Sequence, residues 1–234
     1  MAFPPVSELI ESFFGLIYPN ICVCCSRTLL RGEHYLCAHC MYDLPVTGFY
    51  RYADNPVEQI FWGRVRVERA VAHYFFRKGN RIQTLVHQMK YHGQKEIGEL
   101  LGKEIGKALR KSPLADVDMV LPVPLHPDKL RKRGYNQSEW IARGICAEIH
   151  KPLNVTSLIR RSSAGTQTKK KRYERWENVE KGFGLSHPDA LAGKYVLLVD
   201  DVLTTGATLE ACIHAVQRSA DTKVGIAALA WASD

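Results

Sequence analysis

Nothing in this 234-residue sequence approaches the roughly 20 consecutive apolar residues that cross a bilayer. The one apolar cluster near the start, Leu9, Ile10, Phe13, Phe14, Leu16 and Ile17, is interrupted by Glu8 and Glu11, and no basic segment of the kind that opens a secretory leader precedes it. These absences predict a short amphipathic helix packed on the body and a reducing, cytoplasmic compartment, where clustered cysteines read as metal ligands before disulfides. Internal repeats and low-complexity tracts are missing. So are a G-x-x-x-x-G-K-[ST] loop and a G-x-G-x-x-G fingerprint, which argues against a P-loop nucleotide site and a dinucleotide site. Acidic residues are outnumbered, with Asp+Glu 24 against Lys+Arg 32, and the net charge of +8 favours a polyanionic partner: nucleic acid, a membrane surface or a phosphorylated small molecule.

What is present is an ordinary soluble composition, 46% hydrophobic and 24% charged, enough for one large domain or for an α/β domain with a small appendage. Five of the seven cysteines, Cys22, Cys24, Cys25, Cys37 and Cys40, fall in one short window. Such clustering marks a small module without a core of its own, which needs a cross-link or a metal. Cys22-x2-Cys25 and Cys37-x2-Cys40 form two knuckles whose spacing suits a tetrahedral, structural Zn²⁺ with no open position for chemistry. Cys24, His34 and His39 are close enough in sequence to be substitute ligands. Cys146 and Cys212 sit in helical patterns and read as buried free thiols.

Further along, an apolar run at Arg69 to Phe76 reads as a strand, and Ile82 to Leu109 as one or two helices. VDMVLPV at Val117 to Val123 reads as a second strand, Tyr135 to Ile149 as a helix opened by polar NQSE, and Val155 to Ile159 as another apolar run. A polar stretch, Arg160 to Lys181, follows; loops of that length inside a domain are usually functional or disordered. YVLLV at Tyr195 to Val199, a helix from about Thr205 to Arg218 and VGIAALA at Val224 to Ala230 complete the pattern. Continuous apolar strands separated by helices predict a parallel sheet covered on both faces.

The most informative stretch is VLLVDDVLTTGAT, Val196 to Thr208. Two carboxylates at a strand end are followed by hydroxyl side chains and a glycine, where a helix N-terminus offers free N–H groups to a phosphate. Two acids would repel a phosphate within a Debye length, roughly 8 Å. The acids and the loop therefore serve different parts of one ligand, as a sugar phosphate would require: hydroxyls to the carboxylates, phosphate to the loop, with Mg²⁺ able to screen the acids. A phospho-acceptor aspartate leaves the Thr-Thr-Gly-Ala-Thr loop unexplained. The plain alternative is a capped helix beside solvated acids. A second basic loop, Lys129, Arg131, Lys132 and Arg133 after Pro122-Val123-Pro124-Leu125, is either an anion site or a solvated basic face.

VLLVDDVLTTGAT resembles the phosphoribosyl-pyrophosphate (PRPP) loop of type I phosphoribosyltransferases. The four-cysteine module, LPVPLHPDKLRKRGYNQSEWIA, TQTKKKRYERWENVEKGF and the PRPP-type loop occur in the order shown by the ComF family, a resemblance that spans nearly the whole chain. It implies an α/β fold, a type I phosphoribosyltransferase-like parallel sheet flanked by helices over 49–234, with an N-terminal helix and zinc-ribbon-like module over 1–48. It implies that Asp200 and Asp201 hold the ribose hydroxyls and that Leu203, Thr204, Thr205, Gly206, Ala207 and Thr208 hold the 5′-phosphate. It places a pyrophosphate loop at Val123, Pro124, Leu125, Lys132 and Arg133. A hood that closes over PRPP, or a groove for single-stranded DNA, would carry Arg161, Lys169, Lys170, Lys171, Arg172, Tyr173, Arg175 and Trp176, because aromatics beside cations stack bases without sequence preference. The expected ligands are PRPP with Mg²⁺, structural Zn²⁺ at Cys22, Cys25, Cys37 and Cys40, single-stranded DNA, and proteins of the DNA-uptake machinery of natural competence. An active transferase acting on a base, an amine or ammonia, and a non-catalytic PRPP sensor, are the two other functions compatible with these motifs.

Overall fold

The computed structural model describes residues 20–160 and 182–232. The apolar N-terminal cluster and the hood or groove residues 161–181 lie outside them. In chain order the main elements are α1 (Ala38–Tyr42), α2 (Pro56–Gln59), β1 (Arg69–Phe75), α3 (Arg81–Tyr91), α4 (Glu96–Leu109) and β2 (Met119–Pro122). They continue with α5 (Pro127–Arg133), α6 (Gln137–Ile149), β3 (Leu158–Arg160), β4 (Phe183–Leu185), β5 (Tyr195–Leu203), α7 (Ala207–Val216) and β6 (Lys223–Trp231).

Four strands form a wholly parallel sheet in the order β1-β6-β5-β2. Its apolar strands are covered on both faces, which is why they read as continuous runs rather than alternating ones. Along β5, Leu197 and Val199 enter the core shared with Leu85, Ile105 and Ile145 of α3, α4 and α6. Val196 and Leu198 enter the opposite core with Leu209, Ile213 and Val216 of α7. Outside β2, Leu153 makes a single parallel bridge to Val120. The crossover through α6 thus leads outward from β2, while α7 leads from β5 to β6 in the other direction. Between two diverging crossovers a crevice opens at the carboxyl ends of the strands, where ligands of such sheets bind.

Three sequence expectations change. Asp200 and Asp201 do not terminate their strand: β5 stays paired with β6 as far as Leu203↔Trp231. Its pairing with β2, however, stops at Pro122↔Val199, with one last bond from Val123 N–H to Val199 O at 2.9 Å. The acids stand where one edge of β5 has lost its neighbour, and that opening has the same consequence as a strand end. The run Val155 to Ile159 does not join the sheet; β3 pairs antiparallel with β4, a strand the sequence did not announce because its partner lies beyond the polar stretch. The basic loop also contains α5, opened by His126, whose Nδ1 accepts from Asp128 N–H at 3.2 Å, and closed by Gly134 at φ 82°.

The α4–α6 packing brings backbone against backbone. A Cβ at Gly102 would lie 2.1 Å from the carbonyl oxygen of Ile141, and one at Gly144 would lie 2.2 Å from that of Glu99. The cysteine module is joined to the opposite edge of the sheet. Thr47 N–H donates to His73 O and Phe75 N–H to Pro45 O, each at 2.9 Å, and Leu36, Cys37, Cys40 and Leu44 share a core with Tyr74 and Ile82.

His73 is buried at that seam, edge-on to Tyr74 with ring centres 4.5 Å apart. Burial pushes its pKa down to about 4, against a weak upward pull from Glu104. The unfolded chain takes up this proton near the ordinary histidine value of 6.5 while the folded chain does not until about 4. The contribution of His73 to stability is therefore complete above pH 6.5 and falls as the pH drops towards 4, by about 3 kcal/mol in total. His73→Phe is expected to gain up to about 3 kcal/mol on wild type as the pH falls from 7 to 4, when urea midpoints of the two are compared at each pH; a pH-independent difference would assign the acid loss elsewhere.

Candidate functional site

The loop after β5 is shaped by one glycine. Gly206 adopts φ 79°, and a Cβ there would come within 2.9 Å of Ile60 and 3.1 Å of Phe61, so neither the backbone angle nor the space admits another residue. It opens α7 with no side-chain cap. The first-turn N–H groups are left facing a hollow of about 50 Å³ lined by Asp200 and by residues 202–209. Free donors at the positive end of a helix dipole suit an anion. Thr204, Thr205 and Thr208 are exposed around it. From behind, Arg64 Nη1 donates to Thr205 O at 2.9 Å and Ile60 O at 3.1 Å, and the same guanidinium pairs with buried Glu210.

The two carboxylates differ in their surroundings. Asp200 Oδ1 accepts from Ser138 Oγ at 3.0 Å and from Asp201 N–H at 2.9 Å. Asp201 Oδ2 lies 2.7 Å from Lys90 Nζ and accepts from Gln137 Nε2 at 3.4 Å. Burial, then the neighbouring Asp201 charge, pushes the Asp200 pKa up to about 7. Gln137 and Ser138 begin α6, whose cap, Asn136, accepts from Ser138 N–H at 3.1 Å and donates to Val123 O at 2.9 Å. One amide thus couples the end of β2, the start of α6 and, through Ser138, the acid of β5.

These groups share a cleft of about 230 Å³ with Val123, Pro124, Leu125, Lys129, Arg133 and Arg160. Lys132 is exposed on α5 and does not line it, while Arg131 pairs with Asp128 on the outer side. The cleft also takes in Lys90, Tyr91, Asn136, Gln137 and Ser138, none of which the sequence reading placed at a site. NQS was legible as a helix opening, and its position directly after the basic loop was the one available clue. Lys90 and Tyr91 carry no local signal, since α3 reaches the site only through the packing of the sheet.

At the far edge, the sulfurs of Cys22, Cys25, Cys37 and Cys40 all lie within 4.8 Å of one another, and Cys25 and Cys37 are 3.7 Å apart. A tetrahedron with metal–sulfur bonds of about 2.3 Å has edges of about 3.8 Å, so the donor set fits a Zn²⁺-sized ion. The possible substitutes are turned away. Cys24 Sγ faces Arg81 O at 4.0 Å, its thiol pushed up to about 11 by burial and then by Cys22. His39 lies 3.3 Å from Asp43, and His34 lines a separate hollow with Tyr35. Cys146 is half-buried in α6 and Cys212 buried in α7, as free thiols.

A parallel sheet with a crevice between β2 and β5, an uncapped helix start, two adjoining acids and a facing basic loop defines a type I phosphoribosyltransferase-like α/β protein. Residues 114–233, just over half of the chain, match the phosphoribosyl transferase domain, and the chain belongs to that family. It is 29% identical to DNA utilization protein YhgH of Escherichia coli (strain K12) over 198 residues, 81% of each chain. It is 25% identical to competence protein F of Haemophilus influenzae over 193 residues, again 81% of each. Among solved structures, the glutamine PRPP amidotransferase of B. subtilis aligns with 61% of this chain and 30% of its own, at 20% identity and a TM-score of 0.43.

Proposed function

We propose that the crevice binds PRPP, and that the protein is a ComF-type competence protein that handles single-stranded DNA. One observation carries the first part: a single cleft brings Asp200, Asp201 and Thr208 together with Val123, Pro124, Leu125, Lys129 and Arg133. In this reading the 5′-phosphate takes the backbone of Leu203 to Ala207 with the hydroxyls of Thr204, Thr205 and Thr208, at the start of α7 where the helix dipole favours it. The ribose hydroxyls donate to Asp200 and Asp201. The pyrophosphate meets the backbone of Val123 to Leu125, with Lys129 and Arg133 beside it and Lys132 adding charge from the solvent side. Lys90 offsets the charge of Asp201 and lowers the repulsion that a pyrophosphate would otherwise meet. Mg²⁺, when bound with the ligand, would supply further screening between the pyrophosphate and the acids. Zn²⁺ held by Cys22, Cys25, Cys37 and Cys40 would have no open position and would tie the 1–48 module to the 49–234 domain.

The DNA part rests on the names borne by the relatives, on the net charge of +8, and on Arg161, Lys169, Lys170, Lys171, Arg172, Tyr173, Arg175 and Trp176, which lie outside the described residues. No described helix is long and apolar enough to cross a membrane. A cytoplasmic location, with contacts to the DNA-uptake machinery, completes the reading.

Calorimetric titration of the full chain with PRPP, with and without Mg²⁺, tests it. Saturable binding at one site, strengthened by Mg²⁺, is expected. No heat under either condition would overturn the PRPP reading and leave DNA as the ligand to titrate next.

A further inference from the structure

Tyr91 closes α3 at the lip of the cleft, and 68% of it is exposed. A single exposed aromatic needs no explanation. This one has company. The ring of His87 is centred 4.8 Å away, tilted by 48°, and His92 lies 5.2 Å beyond His87. The guanidinium of Arg133 stands 5.9 Å from the centre of the Tyr91 ring. Arg133 Nη1 is covered and makes no hydrogen bond, and among the described residues Arg133 pairs with no carboxylate, whereas Arg131 pairs with Asp128 and Lys90 with Asp201.

A largely exposed aromatic ring with an unpaired planar cation over it recognises a flat, polarisable ring system. A phosphate needs the cation and not the ring, and a lipid tail would need an apolar surround rather than a basic one. The residue before Tyr91 reaches Asp201 at 2.7 Å, so the platform sits directly beside the acids assigned to a ribose. A base joined to a sugar in the crevice would lie within its reach.

We propose that Tyr91, flanked by His87 and Arg133, is a stacking platform for a nucleobase, whether of a free nucleotide or of a nucleic-acid strand. The proposal rests on the reading that a ribose phosphate occupies the crevice. Tyr91 belongs to none of the stretches that carry the family resemblance.

The full chain is titrated with PRPP, ribose 5-phosphate, adenosine and uridine 5′-monophosphates, and a short oligothymidylate, as wild type, Tyr91→Ala and Tyr91→Trp. Wild type is expected to bind the mononucleotides roughly 5- to 100-fold more tightly than ribose 5-phosphate, the increment of one stacked base. Tyr91→Ala should erase that increment and Tyr91→Trp should keep or enlarge it, read in each protein as the ratio of mononucleotide to ribose 5-phosphate affinity. Loss on Tyr91→Ala confined to the mononucleotides supports a platform for a free base, and loss confined to the oligonucleotide supports one for a strand. No loss for either ligand overturns the platform, with intact PRPP binding showing that the crevice reading stands without it. Absence of PRPP and ribose 5-phosphate binding in wild type overturns the crevice reading itself and removes the anchor on which the platform depends.

Discussion

Asp200→Asn is expected to weaken PRPP binding by roughly 10- to 10²-fold while making the ligand-free protein more stable at neutral pH. The two effects have one origin. In the folded chain, burial and the adjacent Asp201 raise the Asp200 pKa from 3.8 to about 7. A carboxyl whose folded pKa is raised contributes its stability fully below the unfolded value, and that contribution is lost as the pH climbs through the folded value. Between about pH 4 and pH 7 the wild type therefore loses up to about 4 kcal/mol, less what solvent screening returns. Asparagine keeps the shape and removes the charge, so the variant should melt several degrees higher at pH 8 and nearly level with wild type at pH 4.5. In the proposed binding mode the same charge accepts the ribose hydroxyls, so its loss should weaken the ligand. Wild-type affinity should likewise fall as the pH drops below about 7, by no more than tenfold per pH unit. Asp201→Asn provides the contrast: it leaves Lys90 without its partner at 2.7 Å and should show no gain in stability. Melting curves of both variants at the two pH values, beside titrations with PRPP, measure this. A stabilised Asp200→Asn protein that binds PRPP normally would separate the acid from the ligand and refute the assignment.

Gly102→Ala should cost at least about 3 kcal/mol, and Gly102→Val should prevent folding. The added Cβ meets the carbonyl oxygen of Ile141 at 2.1 Å, a contact only the backbone of α6 can relieve by moving away. That displacement would carry Asn136, Gln137 and Ser138 out of the cleft, so any folded Gly102→Ala protein should also bind PRPP more weakly. Gly98→Ala, one turn earlier on α4, meets the Trp140 Cβ at 3.2 Å and the Met89 sulfur at 3.3 Å, mild overlaps that a small helix shift and the flexible methionine can relieve. There the better helix propensity of alanine, about 1 kcal/mol, offsets the crowding, and stability should stay within about 1 kcal/mol of wild type. Urea unfolding of the three variants tests the distinction. Equal losses for Gly98→Ala and Gly102→Ala would show that the helices are not in backbone contact.

Much of the architecture was legible because its signals are contiguous. Cys22, Cys25, Cys37 and Cys40 are paired by local knuckles, and the four sulfurs converge in the fold as their spacing implied. The apolar runs of β1, β2, β5 and β6 were visible because strands buried on both faces need no alternation. Residues 200 to 208 stood out as a candidate site because acids, hydroxyls and glycine follow one another on one strand and one loop, and they line two adjoining hollows in the fold. Less legible were β3 and β4, three residues each and paired across a long polar stretch, and α5, whose charged residues read as a loop.

The amino-acid order alone set out a loop of hydroxyls and glycine at a helix start, the two acids before it and the four thiols that gather, since each depends on residues a few positions apart. Only the tertiary structure decided that Lys90 answers Asp201, that Ser138 and Gln137 hold the two carboxylates, that Arg133 rather than Lys132 turns into the cleft, and that Tyr91 stands at its mouth. Those relations join α3, α5, α6 and β5 across a packed sheet. They arise from the close α4–α6 contact and from the end of the β2 pairing at Val199, and no local pattern in the chain specifies either.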